Sequence, residues 1–283
     1  MNELSSGRMP IPSPSPSRNL TRFYLKVVVL VIAVAASLSG CGIFGETNEE
    51  DLPENWPEDK LYFAAKESLD VGACGGAIEN YERLQTRYPF GPYAAQAQLE
   101  LSYCYYKQED SPAALAAVER FIKLNPTHPH MDYAYYLHGL INFNVGRGLT
   151  ARLIARDPSQ RDPGAALAAF NDYALLIREY PKSRYVDDAQ LRMRYLRNIL
   201  AQHEVNVANF YMRRGAFVAA ANRARSVVEN YQQTPAMPEA LVLLAKSYKV
   251  LEMNELSDDA LRVLELNYPN HPGISEVNKT SVR

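Results

Sequence analysis

The sequence has little cysteine, little histidine and no surplus of positive charge. Three cysteines in 283 residues are too few for a disulfide-built scaffold. Of the five histidines, only His128 and His130 stand close together, flanking Pro129. With no cysteine or carboxylate cluster beside them, they read as turn residues before metal ligands. No glycine-rich phosphate loop and no G-x-S-x-G elbow occurs. Enzyme activity, a cofactor and a bound metal are therefore not expected. A formal net charge of −2 lacks the basic excess of a nucleic-acid binder. The longest apolar run, Val27 to Ala36, falls short of the roughly 20 residues that a membrane-spanning helix needs.

That short run has a different use. Arg8, Arg18, Arg22 and Lys26 precede it, against Glu3 alone, and Leu38-Ser39-Gly40-Cys41 follows. A positive segment, a short apolar segment and a small-residue cleavage site form a secretory signal. The last four residues resemble the bacterial lipobox. The resemblance implies cleavage after residue 40, a diacylglyceryl thioether on Cys41 and acylation of the new amine. Several acyl chains anchor a protein stably where one is marginal. Gly42 stands where an Asp would retain an enteric-type lipoprotein in the inner membrane, which implies the outer membrane, facing the periplasm.

Losing four basic residues and one acidic residue with the leader takes the formal charge from −2 to −5. Residues 41–57, acidic and without a period, read as a lipidated flexible tether. Cys74 and Cys104 remain. The compartment permits a disulfide, but the spacing alone does not decide whether they pair.

Internal similarity predicts the fold. Tyr88-Pro89, Asn125-Pro126, Tyr180-Pro181 and Tyr268-Pro269 each follow an amphipathic run, and Tyr231-Gln232 is a fifth copy without proline. Set as position 32 of a 34-residue frame, these place Ala77, Ala114, Ala169, Ala220 and Ser257 at position 20. Position 24 holds Tyr81, Val118, Tyr173, Ala224 and Leu261. Position 27 holds Leu84, Phe121, Leu176, Val227 and Leu264. A small residue at 20 lets two helices approach, and 24 and 27 share its face. Proline at 32 ends the second helix. The pattern resembles the tetratricopeptide repeat and predicts an all-α solenoid of five helix pairs. The expected divisions are repeats one and two at 58–126, repeat three at 127–184, repeat four at 185–234, repeat five at 235–271 and a tail at 272–283. Repeat three carries a loop at Gly146–Asp162 bounded by Gly146, Gly148, Pro158 and Pro163. Repeat four carries about 14 extra residues without breakers between Tyr185 and Gly215, which predicts a pair of long helices.

Several strings resemble the BamD family, the lipoproteins of the outer-membrane β-barrel assembly machine: Arg87-Tyr88-Pro89-Phe90-Gly91-Pro92-Tyr93, Cys104-Tyr105-Tyr106-Lys107, Arg120-Phe121-Ile122-Lys123-Leu124-Asn125-Pro126-Thr127-His128-Pro129, Arg161-Asp162-Pro163, Arg213-Arg214-Gly215-Ala216 and Asn222-Arg223. The resemblance covers the chain from the leader to about His271. It implies a non-catalytic subunit that recruits unfolded outer-membrane proteins and binds the barrel subunit BamA and accessory Bam lipoproteins.

Two surfaces are candidate sites. Concave positions 2, 5, 9 and 12 of the first helices bring Tyr62, Tyr103, Tyr106, Tyr133, Tyr136 and Phe143 to a groove. Tyrosine packs an apolar side chain and still hydrogen-bonds a backbone, which suits an extended peptide ending in an aromatic residue. Inter-repeat core is the competing role for each tyrosine. The second surface is basic: arginines 192, 194, 197, 213, 214, 223 and 225 face Glu204 alone, a local charge of about +6, and arginine suits bidentate carboxylate pairing. The resemblance implies that Arg214 and Arg223 dock BamA, and Arg197 belongs to the same basic stretch; a solvated helix face is the alternative. Two other functions remain open: an adaptor for peptidoglycan-active enzymes, and a lytic transglycosylase, which needs a separate catalytic domain that no repeat-free segment here supplies.

Overall fold

The computed structural model describes residues 55–145 and 157–280. The leader, Cys41 and the first part of the repeat-three loop lie outside the described residues. From Trp56 onward the chain is one compact unit, and among the described residues it holds eleven α-helices and no strand. They are α1 (Glu58–Asp70), α2 (Cys74–Arg87), α3 (Ala94–Lys107), α4 (Ser111–Leu124), α5 (Met131–Asn144), α6 (Gly164–Glu179), α7 (Val186–Arg213), α8 (Phe217–Asn230), α9 (Met237–Val250), α10 (Asn254–Asn267) and α11 (Gly273–Lys279). Consecutive helices pack on one another, and α1–α10 form the five pairs of a tetratricopeptide solenoid.

The frame positions explain the packing. Ala77, Ala114, Ala169 and Ala220 are fully buried and Ser257 nearly so, and Leu84, Phe121, Leu176, Val227 and Leu264, two turns along the same face, are fully buried. At position 24 only Leu261 is partly exposed. The turn inside each pair is equally regular. The residue at position 15 has a positive φ in four repeats: Gly72 at 78°, Glu109 at 61°, Gly215 at 75° and Glu252 at 61°. Glycine enters this left-handed region without steric cost, and glutamate does not.

Three expectations are corrected. Only one helix of repeat four is long: α7 has 28 residues and α8 has 14. The extra residues contain neither proline nor glycine, so they extend a single helix, and the short turn at Gly215 stays where the other repeats have theirs. The length lets α7 serve two cores, with Ala189 and Leu196 in one and Ala201, Val205 and Ala208 in the next. The segment after residue 271 is not a tail but α11, whose Val277 is buried against α9. Lys249 Nζ donates to the Val277 carbonyl at 3.0 Å, and Lys246 pairs with Glu276 at 2.5 Å. The tether also stops short of residue 57. Trp56 packs on the first core, and its carbonyl accepts from Arg87 Nη1 at 3.1 Å.

The described end of the repeat-three loop is docked on α7. Asp157 caps a 3-10 turn at Pro158–Gln160. Ser159, 2% exposed, accepts at its carbonyl from His203 Nδ1 at 2.9 Å and at its Oγ from Asn206 Nδ2 at 2.9 Å. A carbonyl only accepts, so Nδ1 of His203 carries the proton.

Candidate functional site

The first helices of repeats one to three carry the aromatic residues, which fall into two groups. In the first, Tyr62 stacks on Tyr93 with centroids 4.7 Å apart at 19° and meets Phe63 edge-on at 5.6 Å. Behind it lies a buried carboxylate. Glu100 accepts from Tyr81 Oη at 2.5 Å and from Gln96 Nε2 at 2.9 Å, and it pairs with Lys66 Nζ at 3.3 Å. Burial, and after it the charge of Glu100, push the Tyr62 hydroxyl up to about 12. Lys66 also reaches Asp70 at 3.2 Å, so the wall beside Tyr62 is polar and internally paired.

In the second group, Tyr136 stacks on Tyr185 with centroids 4.6 Å apart at 16°, and Tyr133 approaches Tyr185 at 5.5 Å. Tyr136 Oη donates to Asp188 Oδ2 at 2.7 Å, and the same oxygen accepts from Arg192 Nε at 2.5 Å. Burial and Asp188 hold the Tyr136 hydroxyl at about 12. The Arg192 guanidinium lies over the Phe143 ring, 4.8 Å from its centroid. Tyr103 and Tyr106 are 6.4 Å apart, and Tyr106 Oη accepts from Asn144 Nδ2 at 2.8 Å. Tyr103, Tyr136 and Glu100 all act electrostatically on Tyr133, whose hydroxyl burial drives well above its ordinary value.

All six expected groove residues are half-buried, none fully. At positions 2 and 5 of α3 stand Gln96, which is half-buried, and Leu99, which is core. Sequence reasoning missed Tyr93, Tyr185, Glu100 and Asp188, and it assigned Arg192 to the basic surface and not to this aromatic group. A signal existed for the first two, since both stand four residues after a frame proline, at Pro89 and Pro181. Tyr62 and Tyr136 share frame position 5, so the same stacked pair recurs two repeats apart.

The arginines do not form one patch. Arg192 is held by Asp188, Arg225 Nη2 donates to Tyr248 Oη at 2.6 Å, and Arg223 pairs with Glu204 at 3.2 Å. Arg214 is exposed at the end of α7, with its guanidinium 5.4 Å from the Phe210 ring centroid. Arg197 and Glu204 both act electrostatically on Tyr231, which puts Arg197 towards Arg223. It lies 17 residues before Arg214 on α7, about 25 Å along the axis at 1.5 Å per residue. Arg223 also lines an open depression of about 360 Å³ with Tyr211, Ala219, Asn222 and Ser226. The structure thus joins Arg223 to the α7–α8 seam and sets Arg197 and Arg214 apart on either side.

Among the described residues no group of three His, Cys, Asp or Glu is placed to hold a metal ion, and no helix is long and apolar enough to cross a membrane. His128 and His130 occupy the turn before α5, where His128 Nδ1 accepts from the His130 amide at 3.2 Å.

Residues 54–264 match the model of the YfiO family, described as outer membrane lipoprotein. An outer membrane protein assembly factor BamD of Neisseria gonorrhoeae is 39% identical over 249 residues, covering 88% of this chain and 93% of that one. The protein of the same name from Vibrio cholerae is 38% identical, covering 80% of this chain and 93% of its own. The Haemophilus influenzae protein is 32% identical, covering 84% and 88%.

Proposed function

Because the chain belongs to the YfiO family of outer membrane lipoproteins, with BamD assembly factors among its relatives, we propose that it is a scaffold and substrate receptor in outer-membrane protein assembly. The aromatic face of α1, α3 and α5 takes extended segments of unfolded outer-membrane proteins. The α7–α8 seam around Arg197, Arg214 and Arg223 docks a BamA-type barrel subunit, and accessory Bam lipoproteins complete the complex. A lipid on Cys41 holds the chain to the periplasmic face of the outer membrane. The protein acts by binding, without catalysis and without a cofactor.

The observation that carries the receptor reading is the repeated stack. Tyr62 on Tyr93 and Tyr136 on Tyr185 set two aromatic platforms on the first helices of repeats one and three. Between them stand Tyr103 and Tyr133, with hydroxyls able to meet a peptide backbone while the rings pack apolar side chains. Such a surface favours strands that alternate polar and apolar residues.

Affinity purification of the detergent-solubilised protein through a C-terminal tag tests the reading. Recovery of a BamA-like barrel protein supports it; recovery of a peptidoglycan hydrolase in its place makes the chain a cell-wall adaptor. For the groove, a fluorescent peptide from the last strand of an outer-membrane barrel should bind the wild type, and Tyr62→Ala with Tyr136→Ala should weaken it by roughly tenfold, the size of one or two lost aromatic contacts. Unchanged binding by the double variant would remove the groove from the proposal.

A further inference from the structure

Cys74 and Cys104 are both free and both buried, 8% and 0% exposed, in the same apolar cluster. Neither belongs to the groove or to the arginine surface. Cys74 is the first residue of α2, and Cys104 lies in the last turn of α3, between the groove residues Tyr103 and Tyr106. The two helices run antiparallel from the turn at residues 88–93. Near that turn Gln85 Nε2 donates to the Ala94 carbonyl at 2.7 Å. Cys74 lies eleven residues back along α2 from Gln85, and Cys104 lies ten residues on along α3 from Ala94. At 1.5 Å per residue these are about 16 and about 15 Å, so the two cysteines end level. Side-chain contact agrees, because the thiols are in hydrogen-bonding reach of each other. The next residue keeps the register, since a Cβ on Gly75 would stand 3.6 Å from Gln108 Nε2.

We propose that Cys74 and Cys104 are a disulfide site that staples repeat one to repeat two. The oxidant is a disulfide, either of a protein thiol–disulfide oxidoreductase or of a small molecule. The Cys74 thiolate, at the more open end of α2, attacks one sulfur of that disulfide and expels the other as a thiolate. The Cys104 thiolate then attacks Cys74 Sγ and releases the second sulfur. The pair loses two protons and two electrons, and the oxidant becomes two thiols. Burial raises the Cys104 thiol well above its ordinary value, and the nucleophile is the thiolate. Exchange therefore takes place while the chain folds, and the folded protein shields the finished bond from reduction. The bond fixes the helix that carries Tyr103 and Tyr106 against the repeat that carries Tyr62. Its presence in cells rests on the periplasmic address proposed above; its chemistry does not.

Refolding the full chain from denaturant in a glutathione redox buffer tests the pairing. Trypsin digestion without reduction should yield Glu67–Arg83 joined to Tyr88–Lys107, which assigns the link whatever the state of Cys41. The oxidised protein should melt on the order of 5–10 °C higher than the reduced protein, and Cys104→Ser should abolish both effects. Refolded protein with both thiols alkylatable at high oxidised glutathione, or with each carrying glutathione, overturns the proposal. A link that forms on refolding but is missing from the chain isolated from cell envelopes upholds the pairing and removes the periplasmic address.

Discussion

The hydroxyl of Tyr81 donates to Glu100 Oε2 at 2.5 Å across the boundary between repeats one and two. Tyr81 is fully buried and Glu100 is 9% exposed, so each depends on the other for satisfaction in a dry site. The carboxylate keeps Gln96 and Lys66 if Tyr81 is lost, whereas the Tyr81 hydroxyl has no second partner among the described residues if Glu100 is lost. Removing one side of a buried bond costs about 1 kcal/mol when the remaining group stays satisfied and about 1–3 kcal/mol when it does not. Tyr81→Phe should therefore be the milder change and Glu100→Ala the harsher one, read as midpoints of urea unfolding. The opposite order would mean that Lys66 and Gln96 contribute nothing to the site.

Tyr173 offers the reverse case. Its ring is fully buried, and its Oη has no hydrogen-bond partner among the described residues. Tyr173→Phe keeps the shape and removes a polar group that burial penalises, so stability should stay level or rise by up to about 1 kcal/mol. Gly139 faces the same ring. A Cβ there would stand 2.6 Å from Tyr173 Cε1, and the ring is held on all sides by core. Gly139→Ala gains about 1 kcal/mol of helix propensity and loses about 1–3 kcal/mol to overpacking, so the net change should be destabilising. Thermal melts should fall for Gly139→Ala and should not fall for Tyr173→Phe.

His138 ties three helices together. Its Nδ1 lies 2.8 Å from Asp172 on α6 and its Nε2 3.3 Å from Glu119 on α4, and Asn142 Nδ2 donates to the same Asp172 at 2.8 Å. Burial opposes the charged ring, but the two carboxylates outweigh it and raise the imidazole above its ordinary value of 6.5. A group whose folded value is raised binds its proton more tightly in the folded state. Its stabilisation is complete below about pH 6.5 and is lost as pH rises through the folded value. Denaturant midpoints should therefore fall on the alkaline side of 6.5, and His138→Gln should flatten that slope. A slope unchanged in the variant would assign the pH dependence to other groups.

The left-handed residue inside the helix pairs gives a stabilising prediction. Glu109 and Glu252 adopt φ of 61° at the place where Gly72 and Gly215 sit at 78° and 75°. A side chain in this region costs about 1–2 kcal/mol, while glycine adds conformational freedom to the unfolded chain at somewhat less than that. Glu252 is exposed, so Glu252→Gly should raise the urea midpoint by the equivalent of roughly 0.5–1 kcal/mol. Gly215→Ala should lower it by a similar amount.

Most of the solenoid was legible because its signals are local and repeated. Small residues at position 20 and bulky ones at 24 and 27 report a helix face directly, and proline at 32 reports its end. The insertion in repeat four was legible as helix, since it lacks breakers, but its place was not. Only packing assigns the extra turns to α7, which has to span two cores. The fate of residues 273–279 was likewise set by contact with α9, which no local pattern announces. Frame positions put Tyr62, Tyr103, Tyr106, Tyr133, Tyr136 and Phe143 on the first helices of repeats one to three, and there they are partly buried. Frame positions could not find Glu100 and Asp188, or the contact of Arg192 with Asp188 and Phe143, because a single charge on a helix looks the same whether it is solvated or turned onto an aromatic ring. Counting charge along the chain also overstated the basic surface: Arg192 and Arg223 have acidic partners and Arg225 a tyrosine, two of them close only in space.

The pairing of Arg223 with Glu204 changes how the proposed partner surface is tested. Arg223→Glu would set a new carboxylate beside Glu204, 18% exposed at its side chain, so part of any loss of binding would come from a displaced α8. Arg214 has no such acidic partner among the described residues: it is exposed at the end of α7, over the ring of Phe210. Arg214→Glu should leave the melting temperature within about 1–2 °C of wild type, the usual range for a surface change. If an acidic partner docks there, the reversal should weaken capture of the BamA-like protein by at least tenfold, because it replaces an attraction with a repulsion. Glu204→Gln supplies the control. It frees Arg223 without reversing any charge, so partner capture should hold or strengthen. Loss of capture in Glu204→Gln together with full capture in Arg214→Glu would show that the α7–α8 packing matters and the arginine surface does not.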